Sequence, residues 1–484
     1  MSVPVYDKVL VGGAWVSAER GTYAIVDPAT EMEAGRAPEA SVAQARAAAR
    51  AAREAFDRGP WPRMTGAERG VLLMKAAAAF RAAMGSLVDL TISETGAVRG
   101  VAQTQQVGAV PLRLEKYADM VAHVPELPFP PRVMGASVQA GIAVREPIGV
   151  VACITPFNFP MTNCAGKIGP ALACGNTVVV KPAPVDPLGV AELCRIVAEV
   201  LPPGVVNFVN GSGPDIGEAL VESPDVDMIS FTGSTGVGIK IQEAAAKRLK
   251  RTLLELGGKS AQIVFADAPR EAALKGATQV WTFHSGQICI AGTRLLIERS
   301  IYDDFTRAMV EIAGRVQVGD PRERGTVMGP LVSATQRDRV LGFIQRGVDE
   351  GATVACGGKR PAHLPRGCYV EPTLFTNARN DMTIAREEIF GPVVTEIPFD
   401  DEAHAVALAN DSDYGLYGYV WSGDVARGLR VARALRTGTV QVNSAGGMNP
   451  DAPFGGYKLS GIGRDGGLYA LDAYSEQKYI GWTA

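Results

Sequence analysis

A chain of 484 residues, 47% hydrophobic and 20% charged with a net charge of −3, has room for roughly two to four domains at about 100–200 residues each. This composition excludes a disordered chain, a collagen and a small disulfide scaffold, and the balanced charge gives no global case for nucleic acid or an acidic membrane as partner. The seven cysteines form no C-x-x-C and the four histidines are scattered, so neither a disulfide framework nor a metal site is expected, and a reducing, cytoplasmic setting fits best. The N-terminal MSVPVYDKVLVGG lacks the basic stretch and apolar run of a signal peptide. Strongly apolar runs such as Ile148–Ile154 fall far short of the ~20 residues of a membrane helix.

In chain order, residues 7–27 alternate apolar and polar around Gly12-Gly13 and predict a hairpin. Ser41 opens an Ala/Arg-rich helix to about Phe56, Thr65-Gly66-Ala67-Glu68 has the capping-box pattern of a second helix, and a third is expected over 84–95. The segment 123–136, with Pro128, Pro130 and Pro131, predicts a linker or extended arm. From 145 onward short apolar strands (Ile148–Ile154, Thr177–Val180, Val205–Val209, Met228–Phe231) alternate with helical stretches at 161–173, 187–200, 214–222 and 235–247. That alternation indicates βαβ units and a parallel sheet. A second alternating series follows, with strands near 261–265, 293–298, 393–397, 417–421 and 439–442, joined to the first near Leu253–Lys259. The tail ends in Tyr474–Trp482, strand-like with no later strand to pair with.

Some short patterns fail on context. Gly461-Ile462-Gly463-Arg464-Asp465-Gly466 satisfies G-x-G-x-x-G, but it follows no clear strand and the chain ends before the acidic residue expected about 20 positions on. Gly258-Lys259-Ser260 would need its P-loop glycine where Leu253 stands, and no G-x-S-x-G is present. More informative is Phe231-Thr232-Gly233-Ser234-Thr235-Gly236, where a strand passes into a helix whose free N–H groups suit a pyrophosphate. A capped turn is the bland alternative. Glu255-Leu256-Gly257-Gly258 places a carboxylate before a tight turn, and Gly286-Gln287-Ile288-Cys289-Ile290-Ala291-Gly292 presents a thiol in a small, glycine-flanked loop. Taken singly, the bland readings are a solvated acid and a buried, inert cysteine.

Taken together these segments carry more. Thr155-Pro156-Phe157-Asn158-Phe159-Pro160, Phe231–Thr235, Glu255–Lys259, Gly286–Cys289, Glu387-Glu388-Ile389-Phe390-Gly391-Pro392-Val393 and Pro453-Phe454-Gly455-Gly456-Tyr457-Lys458-Leu459-Ser460-Gly461 stand in one order, with Glu255 34 residues before Cys289. In that ordered set, spanning nearly the whole chain, the sequence resembles the aldehyde dehydrogenase superfamily. The resemblance implies an α/β fold with a Rossmann-like cofactor domain (1–122 and 141–255), an α/β catalytic domain (256–443), and a small β oligomerisation arm with a C-terminal segment (123–140 and 444–484). It implies a homodimer or homotetramer acting on a small-molecule aldehyde, with no nucleic acid and no membrane as partner.

By the same resemblance Cys289 is the nucleophile, the Asn158 amide and the Cys289 N–H stabilise the oxyanion, Glu255 is the base for hydrolytic water, and Lys167 takes part in proton movement. The cofactor, NAD with NADP tolerated, would lie along Ile154, Thr155, Pro156 and Phe157, then Lys181, Ala183 and Pro184, Gly213, Phe231, Gly233 and Ser234, Leu256 and Gly257, with Glu388 on the nicotinamide ribose and Phe390 by the ring. No metal is expected. Pro184 stands where many NAD-preferring members carry Glu, which removes a reason to reject NADP, although Asp186 lies two residues on. Phe157 replaces a frequent Trp and Asp465 a common Glu. Gly166 stands where relatives have a bulky residue or an anchoring Arg, so an open tunnel without a carboxylate anchor is expected. Thr162 and Asn163 add polarity, Phe159, Ile288, Ile290 and Met448 an apolar lining, and the loop Ser444–Asp451 has no Arg or Lys. A medium-sized apolar or aromatic aldehyde is the expected substrate. A CoA-acylating relative would usually lack Glu255, and a non-catalytic crystallin-like protein would not need Cys289, Asn158 and Glu255 together.

Overall fold

The computed structural model describes residues 3–124, 126–446 and 449–483. Two open sheets form its frame. The first runs Ala14–Ser17, Lys8–Val11, Val206–Phe208, Thr177–Lys181, Val150–Ile154, Met228–Thr232, Arg251–Glu255, Gly461–Ile462. Its five central strands are parallel and its edges antiparallel. The second runs Thr353–Cys356, Thr373–Thr376, Val393–Phe399, Arg294–Glu298, Ala261–Val264, Tyr417–Trp421, Thr439–Val442, parallel except at its first pair. The central strands are buried on both faces, as the unbroken Val/Ile-rich runs require when helices cover both sides.

The alternating strands and helices of the sequence stand within a residue or two of their expected places. Three differences are instructive. The N-terminal hairpin closes at Ser17, turning at Gly12 and Gly13 (φ 62° and 89°), and Thr22–Val26 instead pairs with Glu33–Pro38. The helices expected around 66 and 84 are one helix, Gly66–Thr95. Gly85 interrupts the pattern but lies in open space, while the buried stripe Leu73, Phe80, Leu87 and Ile92 runs on beneath it. A lone interior glycine costs only about 1 kcal/mol relative to Ala. This helix is long and apolar enough to cross a membrane by composition, yet it packs that stripe into the core around Trp61 and Phe208.

Third, the C-terminal strand Ser475–Thr483 has a partner in the chain: it pairs antiparallel with Ser137–Pro147, which also pairs with Leu127–Met134. The Phe129 and Tyr479 rings meet edge-to-face at 5.7 Å on this three-stranded arm. Pro130 and Pro131 fall at a register shift on its edge, where a missing N–H costs no ladder bond. The middle strand extends to Pro147, and Gly461–Ile462 belongs to the first sheet rather than to the arm.

Candidate active site

The parallel strands of the first sheet end together at Ile154, Lys181, Thr232 and Glu255, the side on which open α/β sheets bind ligands. The rejected G-x-G pattern explains itself here. Gly461 pairs with Glu255, and a Cβ at Gly461 would lie 1.9 Å from the Leu254 carbonyl oxygen. The glycine permits backbone contact with the Glu255 strand, not a dinucleotide turn.

Glycines also bring the sequence motifs into contact. A Cβ at Gly258 would lie 2.4 Å from the Cys289 carbonyl oxygen, one at Gly257 2.5 Å from Glu388 Oε2, and one at Gly455 2.9 Å from Glu255 Oε1. The cysteine loop leaves the helix Arg270–Thr282 through His284, Ser285 and Gly286, all at positive φ. The buried Gln287 pins it, accepting at Oε1 from Val332 N (2.9 Å) and donating to the His284 carbonyl (3.2 Å). Asn158 Nδ2 donates to the Gln287 carbonyl at 2.8 Å, which leaves its second amide hydrogen free beside the loop. Asn158 is itself held by Gln106, which donates to its carbonyl at 2.8 Å.

Of the seven cysteines only Cys289 and Cys356 are partly exposed. Although part of the Cys289 surface is open, protein crowds its thiol. That burial, with Glu388 and Glu255 nearby, pushes its pKa up to about 12, so attack requires a base. Glu255 is 4% exposed and, among the described residues, neither carboxyl oxygen has a hydrogen-bond partner. Burial, then the Asp465 carboxylate, holds its pKa well above the ordinary range, while Lys167 and Arg464 pull it back. Lys167 is buried, donates to Ser230 Oγ at 3.1 Å and stands 3.9 Å from Asp465. Ser230 Oγ meets the Tyr474 hydroxyl at 2.6 Å, so a buried polar chain runs from the root of the arm to the neighbourhood of Glu255. No sequence signal places Ser230, Tyr474 and Asp465 together, since only the fold joins positions so far apart.

Around the strand ends lie the residues expected to hold a cofactor. Lys181 is buried without a hydrogen-bond partner among the described residues, and burial lowers its pKa to about 8 against the pull of Asp215 and Glu39. Arg20 bridges those two carboxylates at 2.9 and 2.8 Å. Ala183 and Pro184 follow Lys181, and the Pro184 carbonyl accepts from Tyr23 OH at 2.7 Å. Asp186 is fully buried with both oxygens unpartnered among the described residues, and burial beside the Glu94 carboxylate holds its pKa well above the ordinary range. Ser234 precedes the helix Thr235–Ala246 without capping it, leaving first-turn N–H groups unmatched by its hydroxyl, and Phe231 and Gly233 lead into that turn. Gly213 leads into the helix Asp215–Glu222, and Leu256 packs under Gly238. Thr155 N donates to the Lys181 carbonyl at 3.0 Å, joining Ile154-Thr155-Pro156 to that strand end. Glu388 accepts from Gly258 N at 2.9 Å and burial raises its pKa to about 7. Phe390, at φ 58°, meets Phe157 edge-to-face at 5.5 Å.

On the other side, Phe159 stacks near Phe283 and His284, with centroids 5.8 and 5.1 Å apart, and Ile288 and Ile290 flank the thiol. The Thr162 hydroxyl is turned away onto the Gln105 and Gln106 carbonyls, so it adds no free polarity. Asn163 Nδ2 lies 3.4 Å from Asn158 Oδ1. Met448 lies outside the described residues. The expectation at Gly166 needs correction: the wall there is neither open nor without a cation. A Cβ on Gly166 would lie 2.5 Å from Nη1 of Arg113, on the helix Ala109–His123. Nothing in the sequence links residues 113 and 166; helix packing does.

A profile described as "Aldehyde dehydrogenase family" matches residues 15–480. Betaine aldehyde dehydrogenase of Bacillus subtilis (strain 168) is 39% identical over 482 residues, 98% of this chain and 96% of the relative. 2-Hydroxymuconic semialdehyde dehydrogenase of Pseudomonas sp. (strain CF600) is 39% identical over 479 residues, 98% of each. The solved NAD+ complex of a Bacillus cereus aldehyde dehydrogenase superposes with a TM-score of 0.94 at 41% identity, covering 98% of this chain and 96% of that one. With six ordered motifs folded into one site and full-length likeness in sequence and structure, the chain belongs to the aldehyde dehydrogenase family.

Proposed function

We propose that this protein oxidises an aldehyde to a carboxylic acid with NAD, through a thiohemiacetal and then a thioester on Cys289, hydrolysed by water that Glu255 activates. The observation that carries this reading is the buried Glu255 carboxyl, without a hydrogen-bond partner among the described residues, packed against Gly455 and near enough to Cys289 to help raise its thiol pKa. A carboxyl group kept from water and from hydrogen bonds is a stronger base than a solvated one. It takes the thiol proton; the thiolate attacks the carbonyl carbon, and the second Asn158 amide hydrogen and the Cys289 N–H receive the oxyanion. Bound NAD supplies a hydride acceptor. When the C=O reforms as a thioester, Glu255 takes a proton from water, whose oxygen displaces the Cys289 thiolate. Lys167, fixed by Ser230 beside Asp465, gives the proton a route away. The apolar wall of Phe159, Ile288 and Ile290 suits a medium-sized aldehyde with an apolar or aromatic body.

The residues present fit the cofactor. Lys181 is a buried cation without a partner among the described residues, the helix after Ser234 offers unmatched N–H groups to an anion, and Glu388 can accept from a ribose hydroxyl. In this division residues 1–122 with 141–255 bind the cofactor and 256–443 supply the thiol. The absence of Glu at position 184 supports tolerance of NADP. Pro184→Glu is expected to weaken NADP more than NAD, because a carboxylate there repels a 2′-phosphate and accepts from a 2′-hydroxyl. A kcat/KM ratio for NADP over NAD that stays unchanged would assign the choice elsewhere. An aldehyde panel with NAD and NADP, with and without CoA, tests the whole reading: oxidation without CoA supports it, and strict dependence on CoA favours the acylating alternative.

The arm supports a homodimer or homotetramer. Val133 is 77% exposed, and Leu127, Phe129, Met134, Tyr479, Ile480 and Trp482 are exposed on the same small sheet. Apolar surface and sheet edges of this kind are covered by a second copy in symmetric assemblies. Removing residues 474–484 is expected to give smaller species of lower stability, with activity lost secondarily. Light scattering that finds the intact protein monomeric at micromolar concentration contradicts this assembly.

A further inference from the structure

The guanidinium of Arg113 is a charge the mechanism above does not use. Its helix, Ala109–His123, crosses Pro160–Ala173 at Gly166 and Gly169, where a Cβ would lie 2.5 Å from Arg113 Nη1 and 2.9 Å from the Tyr117 ring. The two glycines let the helices approach, and Gly166 in particular admits the guanidinium to the face that carries Asn163, one turn earlier. Other charges near it on the helix are matched: Glu115 pairs with Arg81 at 2.6 Å and Lys116 with Asp451 at 2.9 Å. Among the described residues Arg113 has no ion pair and donates no hydrogen bond. Asp465, the carboxylate whose field it feels, stands closer to Lys167. Arg113 is solvent-exposed, yet protein crowds its guanidinium and lowers its pKa. Its charge persists at any working pH.

We propose that Arg113 anchors a carboxylate at the far end of the aldehyde, so that the favoured substrates are oxo acids and formyl-bearing aromatic acids rather than neutral aldehydes. This rests on the proposed site at Cys289. Asn163 contacts Asn158, and Gly166 lies about 5 Å further along the helix, which places the anion several carbons from the reacting carbonyl. The apolar wall holds the body between them, and a planar guanidinium can grip the carboxylate with two parallel bonds. Arg113 is thus a specificity-determining residue. It supplies the anchor that Gly166 lacks.

The test compares 4-carboxybenzaldehyde with benzaldehyde. The wild-type enzyme is expected to prefer the charged compound in kcat/KM. Arg113→Leu is expected to lower that value about 10–100-fold for 4-carboxybenzaldehyde, mostly through KM, the effect of losing the charge-assisted hydrogen bonding to the carboxylate, and to leave benzaldehyde within about 2-fold. Arg113→Lys should restore part of the loss. A wild-type preference for benzaldehyde, no change in the Leu variant, or equal loss on both compounds with NAD binding intact would overturn the proposal; equal loss would instead assign Arg113 to the charge balance around Asp465. Failure of the wild-type enzyme to oxidise either aldehyde would count against the dehydrogenase reading itself.

Discussion

Cys289→Ala is expected to abolish aldehyde oxidation while leaving the fold and NAD binding intact. The thiol stands in a loop set by three consecutive positive φ angles and by Gln287, none of which needs the sulfur. Loss of a nucleophile typically costs on the order of 10⁴-fold or more in kcat. Circular dichroism and NAD titration check that the variant is folded and competent; near-normal turnover would transfer the chemistry to another group. Cys356, the other partly exposed cysteine, lies on the far edge strand of the second sheet, so Cys356→Ala should be silent.

Glu255→Gln is expected to slow thioester hydrolysis more than hydride transfer, so that a burst of NADH precedes a slow steady state. The amide keeps the shape of the side chain against Gly455 but accepts no proton. The pH dependence follows from the direction of the shift. Burial and Asp465 raise the Glu255 pKa, so the base form is lost as pH falls through that raised value, and hydrolysis by the wild-type enzyme should climb with pH above the ordinary carboxylate range. That acidic limb should disappear in the Gln variant. Stopped-flow absorbance of NADH across a pH series measures both effects; a wild-type profile flat down to the usual carboxylate range would remove Glu255 from the step.

What the sequence made legible was local. Parallel strands such as Val150–Ile154 and Thr177–Lys181 announce themselves as unbroken apolar runs, and Ser41 and Thr65 are read as caps because capping chemistry lies within four residues. The motifs of the site were legible because each is contiguous. Their contacts were not: Gly258 against Cys289, Gly257 against Glu388 and Gly455 against Glu255 join segments that only the tertiary fold brings together. The same limit hid the partner of Ser475–Thr483, since that strand pairs with one more than three hundred residues earlier. The glycine at 166 shows the error that follows. In the sequence the missing side chain implies open space, but a neighbouring helix fills it with a cation.

In the proposed mechanism a thioester forms on Cys289 and waits on Glu255. The most direct measurement is rapid acid quenching of Glu255→Gln after mixing with a labelled aldehyde and NAD, followed by mass spectrometry of the digested protein. The acyl mass is expected on the peptide containing Gly286–Gly292, located to Cys289, in amount equal to the NADH burst. An NADH burst with no label on that peptide, or label on another residue, would contradict it.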